Sequence, residues 1–293
     1  MSNPTSTLEL LEGRRHLSAT LKGGVLRAVG DDGMANVITV KLSDDKTKYD
    51  VEINGTTTSF DSKKVRRVVL HGADNSDTLT VSSEVNVRQN FFGYEGNDTL
   101  TGGSASDERA SKNGKGDGKG RGPRGWTRLW GMGGDDTIIA TGGRNFIDGG
   151  KGNDVLTGSA GRDLIAGFSG LDTINANGGD DVVHGGEGDD TIDLGSGNDK
   201  CLAGAGNDNV SGGEGDDRIF GQAGNDTLNG NAGRDRLFGQ VGLDHLFGGD
   251  DNDDLHGGAD TDLLDGGAGT NRLKQGEAEE TDKLEIETTA SAI

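Results

Sequence analysis

The sequence predicts an all-β fold, a solenoid of 18-residue coils preceded by an irregular β-rich N-terminal region. Three observations lead to this prediction. The 293 residues include 55 glycines but only 2 prolines. Residues 131–274 divide without a gap into sixteen blocks of nine. Helical periodicity is nearly absent, and residues 8–21 are the one weak helical candidate. Two blocks would form one coil, with a short strand on each side and a turn at each end, and coils would stack at about 4.8 Å.

The nine-residue block has a turn half and a strand half. Three blocks read GGKGNDVLT (149–157), GGEGDDTID (185–193) and GGEGDDRIF (212–220). The sixth residue is Asp in fourteen blocks and Asn in the other two, while the eighth is aliphatic in all but one, where it is Cys201. Glycines permit the positive φ values of tight turns, and strand alternation points the eighth side chain inward. The block therefore predicts a turn followed by a very short strand.

The region before the array has the pattern of short strands mixed with looser copies of the same block. The segment Asn54-Gly55 suits a hairpin turn. We therefore expect this region to continue the array and not to form a separate catalytic domain. The predicted strands are 25–29, 37–42, 49–53 and 65–70, and the looser copies are 31–39, 72–80, 93–101 and 102–110.

Composition divides the chain into five parts. A basic, glycine-rich insert interrupts the register, and it has two open interpretations, a flexible loop or an electrostatic contact with an acidic polymer or with the array. Its G-x-G-x-x-G at 120–125 follows no strand, so we discard a dinucleotide site. The parts are a targeting-like segment (1–24), the β-rich region with degenerate repeats (25–110), the insert (111–130), the sixteen repeats (131–274) and an acidic tail (275–293).

The negative charge is concentrated in the repeats. The net charge of the chain is -21, and residues 131–274 carry 27 acidic and 9 basic side chains, a net charge of -18. This balance argues against nucleic acid as a partner and favours cations. No apolar run is long enough to span a membrane.

Stacked coils would bring sixth-position carboxylates together. Each Asp would lie beside the one 18 residues away, in two rows with twelve gaps that have Asp on both sides. Such carboxylates repel unless a cation lies between them, and oxygen ligands suit Ca²⁺. The candidate ligands are Asp136, Asp154, Asp163, Asp172, Asp181, Asp190, Asp199, Asp208, Asp217, Asp226, Asp235, Asp244, Asp253 and Asp262, and Asn145 and Asn271 end the second row.

The block resembles the RTX family, the hemolysin-type calcium-binding repeats with the motif G-G-x-G-x-D-x-U-x. The resemblance implies a secreted bacterial protein with a parallel β-roll, a right-handed solenoid in which Ca²⁺ lies between turns. The ligands it implies are the Asp side chains and turn carbonyls, for which we assign Gly152, Gly170, Gly188, Gly206, Gly215 and Gly224. Weaker binding or none is expected where the pattern fails, at the fifth positions Arg144, Arg162, Leu171, Arg234 and Leu243 and the fourth positions Asp251 and Asp260.

The thin core suggests that folding depends on the metal. Only sixteen apolar side chains have to offset the ordering of 144 residues while the charges repel, so we expect the array to fold on binding roughly 7 to 12 Ca²⁺. The alternative is a metal-free solenoid in which Asp side chains only cap turns through local hydrogen bonds.

The sequence contains no motif of a common hydrolase. H-E-x-x-H, G-x-S-x-G and a P-loop are all absent. His184 and His256 fall at outward ninth positions, where solvated surface is expected, and Cys201 falls at a core position. The prediction is a protein that is not an enzyme. The alternative is an accessory module, or a divergent secreted hydrolase with an unrecognised active site in residues 1–130.

Calcium supply favours a location outside the cell, because extracellular modules bind Ca²⁺ at about 10⁻⁴–10⁻³ M. The N-terminus lacks the pattern of an ordinary signal peptide, although LELLEGRRHLSA resembles a motif at the start of many bacterial surface proteins. The acidic tail is either an uncleaved export signal or a solvated cap. We predict a secreted or cell-surface protein with a structural or adhesive role, whose partners are calcium ions and cell-surface polysaccharide or other surface proteins.

Overall fold

The computed structural model describes residues 17–102 and 126–276, which form two facing sheets of thirteen strands each. Strands are numbered in chain order. The first sheet, in spatial order, contains β1 (Ser18–Lys22), β2 (Val25–Val29), β6 (Arg67–His71), β8 (Arg88–Glu95), β10 (Thr127–Gly133), β12 (Asn145–Lys151), β14 (Leu164–Ser169), β16 (Val182–Glu187), β18 (Lys200–Ala205), β20 (Arg218–Ala223), β22 (Arg236–Val241), β24 (Asp254–Ala259) and β26 (Arg272–Lys274). The second contains β25 (Leu263–Asp265), β23 (His245–Asp250), β21 (Thr227–Ala232), β19 (Asn209–Glu214), β17 (Thr191–Asp193), β15 (Thr173–Asn175), β13 (Val155–Thr157), β11 (Thr137–Ala140), β9 (Thr99–Gly102), β7 (Thr78–Val81), β3 (Val37–Leu42), β4 (Lys48–Ile53) and β5 (Thr56–Asp61).

The strand register confirms the 18-residue coil. In the first sheet, Ile147 pairs with Ile165 and Ile165 with Val183, in parallel. The second sheet follows the same offset, with Leu156 paired to Ile174. The fold is therefore the parallel β-roll that the repeat predicts.

The core is a double column of eighth-position side chains. Those from Ile138 to Leu255, including Cys201, are at most 1% exposed. The column ends at the last coil, where Leu264 is only partly buried and Leu273 is 50% exposed. Each coil thus contributes two core residues, which keeps the hydrophobic layer thin.

The N-terminal region continues the same stack. β2, β6, β8 and β10 pair in parallel, as do β3, β7, β9 and β11. Antiparallel strands close this end of both sheets, β1 against β2 and the β4–β5 hairpin against β3. The hairpin turns at Asn54 and Gly55, whose φ values of 48° and 83° are typical of the expected two-residue turn.

Two sequence expectations are corrected near the N-terminus. The weak helical candidate is wrong where it is described, because Ser18–Lys22 is a strand whose alternate residues Ala19 and Leu21 pack on the core. The strand expected at 65–70 begins at Arg67 and ends at His71, after a short 3-10 helix at Ser62–Lys64. Strand alternation, with period two, fits these residues better than a helical face does.

The coil stack also includes residues that the sequence division assigned to the basic insert. Strand β10 begins at Thr127, and Leu129 pairs with Ile147 in the core. Residues 1–16 and 277–293, the insert up to residue 125, and all but the first residue of the repeat copy at 102–110 lie outside the described residues. In the described ranges, no helix is long and apolar enough to cross a membrane.

Candidate metal centre

Sixth-position aspartates form two rows of buried carboxylates along the turns. Each lies directly before a short strand, so strand pairing sets the position of the side chain. Their exposure is at most 3% from Asp136 to Asp253 and 8% at Asp262. A buried carboxylate is costly unless both of its oxygens have partners.

One oxygen of each carboxylate joins a coil to the coil before it. The backbone N–H of Asp136 donates to Oδ1 of Asp154 at 2.8 Å, and that of Asp154 donates to Oδ1 of Asp172 at 2.8 Å. In the second row, the backbone N–H of Asp181 donates to Oδ1 of Asp199 at 2.7 Å. The aspartates are therefore part of the ladder that holds successive coils in register.

The second oxygen, Oδ2, is buried and has no hydrogen-bond partner in thirteen of the fourteen candidate aspartates. They are Asp136, Asp154, Asp172, Asp181, Asp190, Asp199, Asp208, Asp217, Asp226, Asp235, Asp244, Asp253 and Asp262.

First-position glycines make room for this oxygen. A Cβ on Gly131 would clash with Oδ2 of Asp136 and with the carbonyl oxygen of Gly149 in the next coil. The same arrangement occurs at Gly167, with Asp172 and Gly185. The missing side chain therefore lets a carboxylate oxygen and a carbonyl oxygen of the next coil lie close to the glycine backbone.

Burial raises the pKa of these carboxyl groups far above the ordinary value. The pKa rises to about 8 at Asp154 and Asp181 and to about 7 at Asp190 and Asp217, and the charges of neighbouring aspartates add to the effect of burial. Near neutral pH, such a group is stable in this environment when it holds a proton or faces a cation.

Asp163 differs from the other candidates because both of its oxygens are used. Oδ1 accepts from the backbone N–H of Asn145 at 2.7 Å and from its side-chain amide at 2.8 Å. Oδ2 accepts from the backbone N–H of Ser159 at 2.6 Å and from its hydroxyl at 3.1 Å. The first end of the second row is therefore closed by a network that needs no metal.

Comparison with known proteins identifies the family. The model of the RTX calcium-binding nonapeptide repeat (4 copies) matches residues 90–108, 130–165, 166–201, 202–237 and 238–273. The chain belongs to the RTX calcium-binding nonapeptide repeat family. No curated protein matches the chain.

The first row of RTX aspartates extends further than the sequence analysis predicted. The N–H of Asp77 donates to Oδ1 of Asp98 at 2.7 Å, and the N–H of Asp98 donates to Oδ1 of Asp136 at 2.7 Å. Oδ2 of both residues is buried without a partner. Asn36 begins the row by donating to Asp77. The sequence contained the signal for this extension, since Asn36, Asp77 and Asp98 occupy sixth positions of the looser copies. Asp77 and Asp98 raise the number of gaps with Asp on both sides from twelve to fourteen.

The six fourth-position RTX glycines assigned as carbonyl ligands lie at the turns. All have φ between 118° and 139°, a left-handed range that favours glycine. A Cβ on Gly170 would clash with the carbonyl oxygen of Gly152, so this carbonyl faces the next coil. Asp251 and Asp260 keep positive φ values of 75° and 76° at the same position.

A second ladder, which the sequence analysis missed, runs along fifth positions. The N–H of Asn153 donates to Oδ1 of Asp135, and the N–H of Leu171 donates to Oδ1 of Asn153, both at 2.8 Å. Leu171 has no side-chain oxygen to offer Asp189 in the following coil. The same bond joins Asp189 to Asn207, Asn207 to Asn225, Asn225 to Leu243, Asp180 to Asn198, Asn198 to Asp216, Asp216 to Arg234 and Asn252 to Thr270.

The RTX gaps are not clusters of acidic side chains. Across the described ranges, no group of three or more His, Cys, Asp or Glu side chains is placed to hold a metal ion. An ion between two coils would therefore depend on the carboxylates of one row together with turn carbonyls. Mixed donors of this kind suit the flexible oxygen coordination of Ca²⁺ better than that of Zn²⁺ or copper.

Proposed function

We propose that this chain is a secreted or cell-surface protein whose RTX array folds on binding roughly 7 to 12 Ca²⁺ between successive coils. One observation carries the proposal: thirteen candidate aspartates of the array bury an oxygen that has no hydrogen-bond partner. Calcium would supply the positive charge that these oxygens lack. Asp163 is the weakest of the proposed ligands, because Ser159 and Asn145 already use both of its oxygens.

Folding would be coupled to binding because the apolar core is thin and the carboxylates are buried. The core has two eighth-position side chains per coil, while a coil of two complete repeats also buries two carboxyl groups. A cation that binds the folded array and not the unfolded chain stabilises the fold by mass action.

We propose a structural or adhesive role outside the cell, without enzymatic activity. Sites with few charged ligands bind Ca²⁺ weakly, and calcium outside the cell, at about 10⁻³ M, is concentrated enough to fill them. A regular stack with two flat faces suits contact with cell-surface polysaccharide or other surface proteins. No observation on the described residues favours the rival accessory or hydrolase function, since residues 25–102 add coils to the roll.

Isothermal titration of the calcium-free chain with Ca²⁺ tests the proposal. We expect several equivalents to bind, roughly 7 to 12, with a concurrent gain of β signal in circular dichroism. Titration with Mg²⁺ is the matched control, because Mg²⁺ demands a tighter octahedron and keeps its water. Binding of one Ca²⁺ or none would favour the metal-free solenoid instead.

A further inference from the structure

Five cationic side chains lie together on the outer face of the first sheet, at its N-terminal end. We call this set the basic face: Lys22, Arg27, Arg67, Arg88 and Arg128. Each alternates with inward residues of its strand, such as Leu26, Val68 and Leu129, which are fully buried. All five therefore point away from the core on one surface.

The basic face forms a row along the solenoid axis. Its members lie one on each of the neighbouring strands β1, β2, β6, β8 and β10. Arg67 pairs directly with Arg88, while Arg27 and Arg128 lie two residues further along their strands. At about 4.8 Å between strands, the row extends over roughly 20 Å.

The charges of the basic face lie close enough to repel one another. Burial lowers the pKa of the Arg67 guanidinium, and the charges of Arg88 and Arg128 lower it further. Among residues 17–102 and 126–276, none of the five forms an ion pair. Like charges directly opposite each other destabilise a sheet, so the arrangement calls for an anionic partner.

A second cationic row lies on the same outer face, where Lys200 pairs with Arg218 and Arg218 with Arg236, but the next residue in its register is Asp254. In the second sheet, the ten odd-numbered strands from β7 to β25 contain no Lys or Arg. At the C-terminal end of the first sheet, a groove of ≈ 450 Å³ is also lined by arginines. There, however, Arg234 pairs with Asp216 at 2.9 Å, and Arg272 lies 3.6 Å from Asp254. The basic face is thus a local cationic surface on an acidic protein.

We infer that the basic face binds a linear acidic polysaccharide, with the sugar chain running along the solenoid axis and its carboxylates against the row of cations. Guanidinium groups match carboxylates with two parallel hydrogen bonds, and an extended polymer of acidic sugars presents its charges in a row as this face does. The inference rests on the surface role proposed above. It names the partner class and the face that receives it.

The test uses the full chain in millimolar calcium, titrated with hexagalacturonate in a calorimeter. The double variant Arg67→Gln/Arg88→Gln removes the centre of the row. Arg234→Gln/Arg272→Gln is the matched control, because it removes the same charge from the C-terminal end of the roll, where each arginine lies beside a carboxylate. Arg27→Gln/Arg128→Gln provides a second test if the first variant fails to fold by circular dichroism.

We expect the wild type and the control to bind within about twofold of each other, and the basic-face variants to lose affinity by about tenfold or more. Added salt should weaken binding, and neutral maltohexaose should not bind. Equal binding by all variants would indicate bridging through calcium and would overturn the inference. Failure of the wild type to bind would overturn it too, as would equal binding to inorganic phosphate or preference for anionic vesicles.

The two proposals can fail separately. If calcium induces folding but hexagalacturonate does not bind, the polysaccharide inference is wrong and the calcium proposal stands. If the sugar binds through the basic face while calcium leaves the circular dichroism unchanged, the calcium proposal is wrong instead.

Discussion

At the scale of single residues, the two oxygens of each sixth-position carboxylate have different roles. Oδ1 of Asp190 accepts the N–H of Asp172 at 2.8 Å, whereas Oδ2 is buried without a partner. The first oxygen serves strand register and the second is the one available to a cation. A single aspartate therefore contributes both to the fold and to the proposed calcium site.

Asparagine substitutions separate these roles. In Asp190→Asn the amide oxygen can replace Oδ1, but the charge at Oδ2 is lost, so we expect the calcium stoichiometry to fall. The metal-free chain should become more stable, because an uncompensated buried carboxylate is removed, by about 1–3 kcal/mol. Isothermal titration and urea unfolding in EDTA measure the two effects.

Asp163→Asn is the matched control at the same position of another coil. Because Ser159 and Asn145 already use both oxygens of Asp163, this substitution should leave the calcium stoichiometry unchanged. It should destabilise the chain by about 1–3 kcal/mol, since the amide would face the N–H of Ser159. A loss of calcium equal to that of Asp190→Asn would refute this distinction.

The raised pKa values predict how the metal-free array responds to pH. Burial raises the pKa to about 8 at Asp98 and Asp154 and to about 6 at Asp199 and Asp208, from an ordinary 3.8. The folded state therefore binds more protons than the unfolded chain. This contribution is fully present below about pH 4 and is lost as the pH rises through 6 to 8.

In EDTA, the β signal and the melting temperature should consequently be higher at pH 5 than at pH 8. Calcium should restore both at pH 8 and add little at pH 5, because protons and calcium neutralise the same oxygens. Melting curves followed by circular dichroism over this range provide the measurement. A metal-free stability that increases from pH 5 to pH 8 would contradict the account.

At the scale of elements, the fifth-position ladder has a direction. Each side-chain oxygen accepts from the coil that follows it, so an interruption affects the next coil and not its own. Leu171 receives a bond from Asn153 but offers none to Asp189. A residue without a side-chain oxygen at this position should therefore weaken the attachment of the coil that follows it.

Exchanging the two residue types tests this direction. Leu171→Asn adds an acceptor for the N–H of Asp189 and should stabilise the calcium-bound chain by about 0.5–1.5 kcal/mol. The reverse change, Asn153→Leu, removes the acceptor of the Leu171 N–H and should destabilise it by a similar amount. Urea unfolding in calcium measures both. Equal signs for the two variants would show that side-chain size, and not the ladder, determines the effect.

Much of the fold and of the candidate site was predictable from the spacing of the blocks, but two features were not. Asp77 and Asp98 follow irregular spacings of 21 and 38 residues in their ladder, so counting by eighteen misses them. The prediction that His256, at a ninth position, is solvated surface was also wrong. Strand alternation points it outward, yet it is 8% exposed and stacks on Phe238 at 5.0 Å. A column of rings at strand spacing buries its own members, and a single repeat contains no sign of this.

At the scale of the whole molecule, the same stacking of coils forms the core and the carboxylate rows, and it brings buried negative charges close together. The array carries a net charge of -18, and its sixth-position carboxylates are the charges that the fold buries. A composition rich in glycine and acidic residues is typical of disorder. The regular spacing of the blocks makes a folded structure possible, on the condition that protons or cations neutralise the carboxylate rows.

The most direct test of this condition is thermal unfolding of the full chain, followed by circular dichroism at pH 8 in excess EDTA and in millimolar calcium. The account predicts a weak β signal without a cooperative transition in EDTA, and a strong β signal with a cooperative transition in calcium. The same β signal and the same melting temperature in both solutions would contradict it.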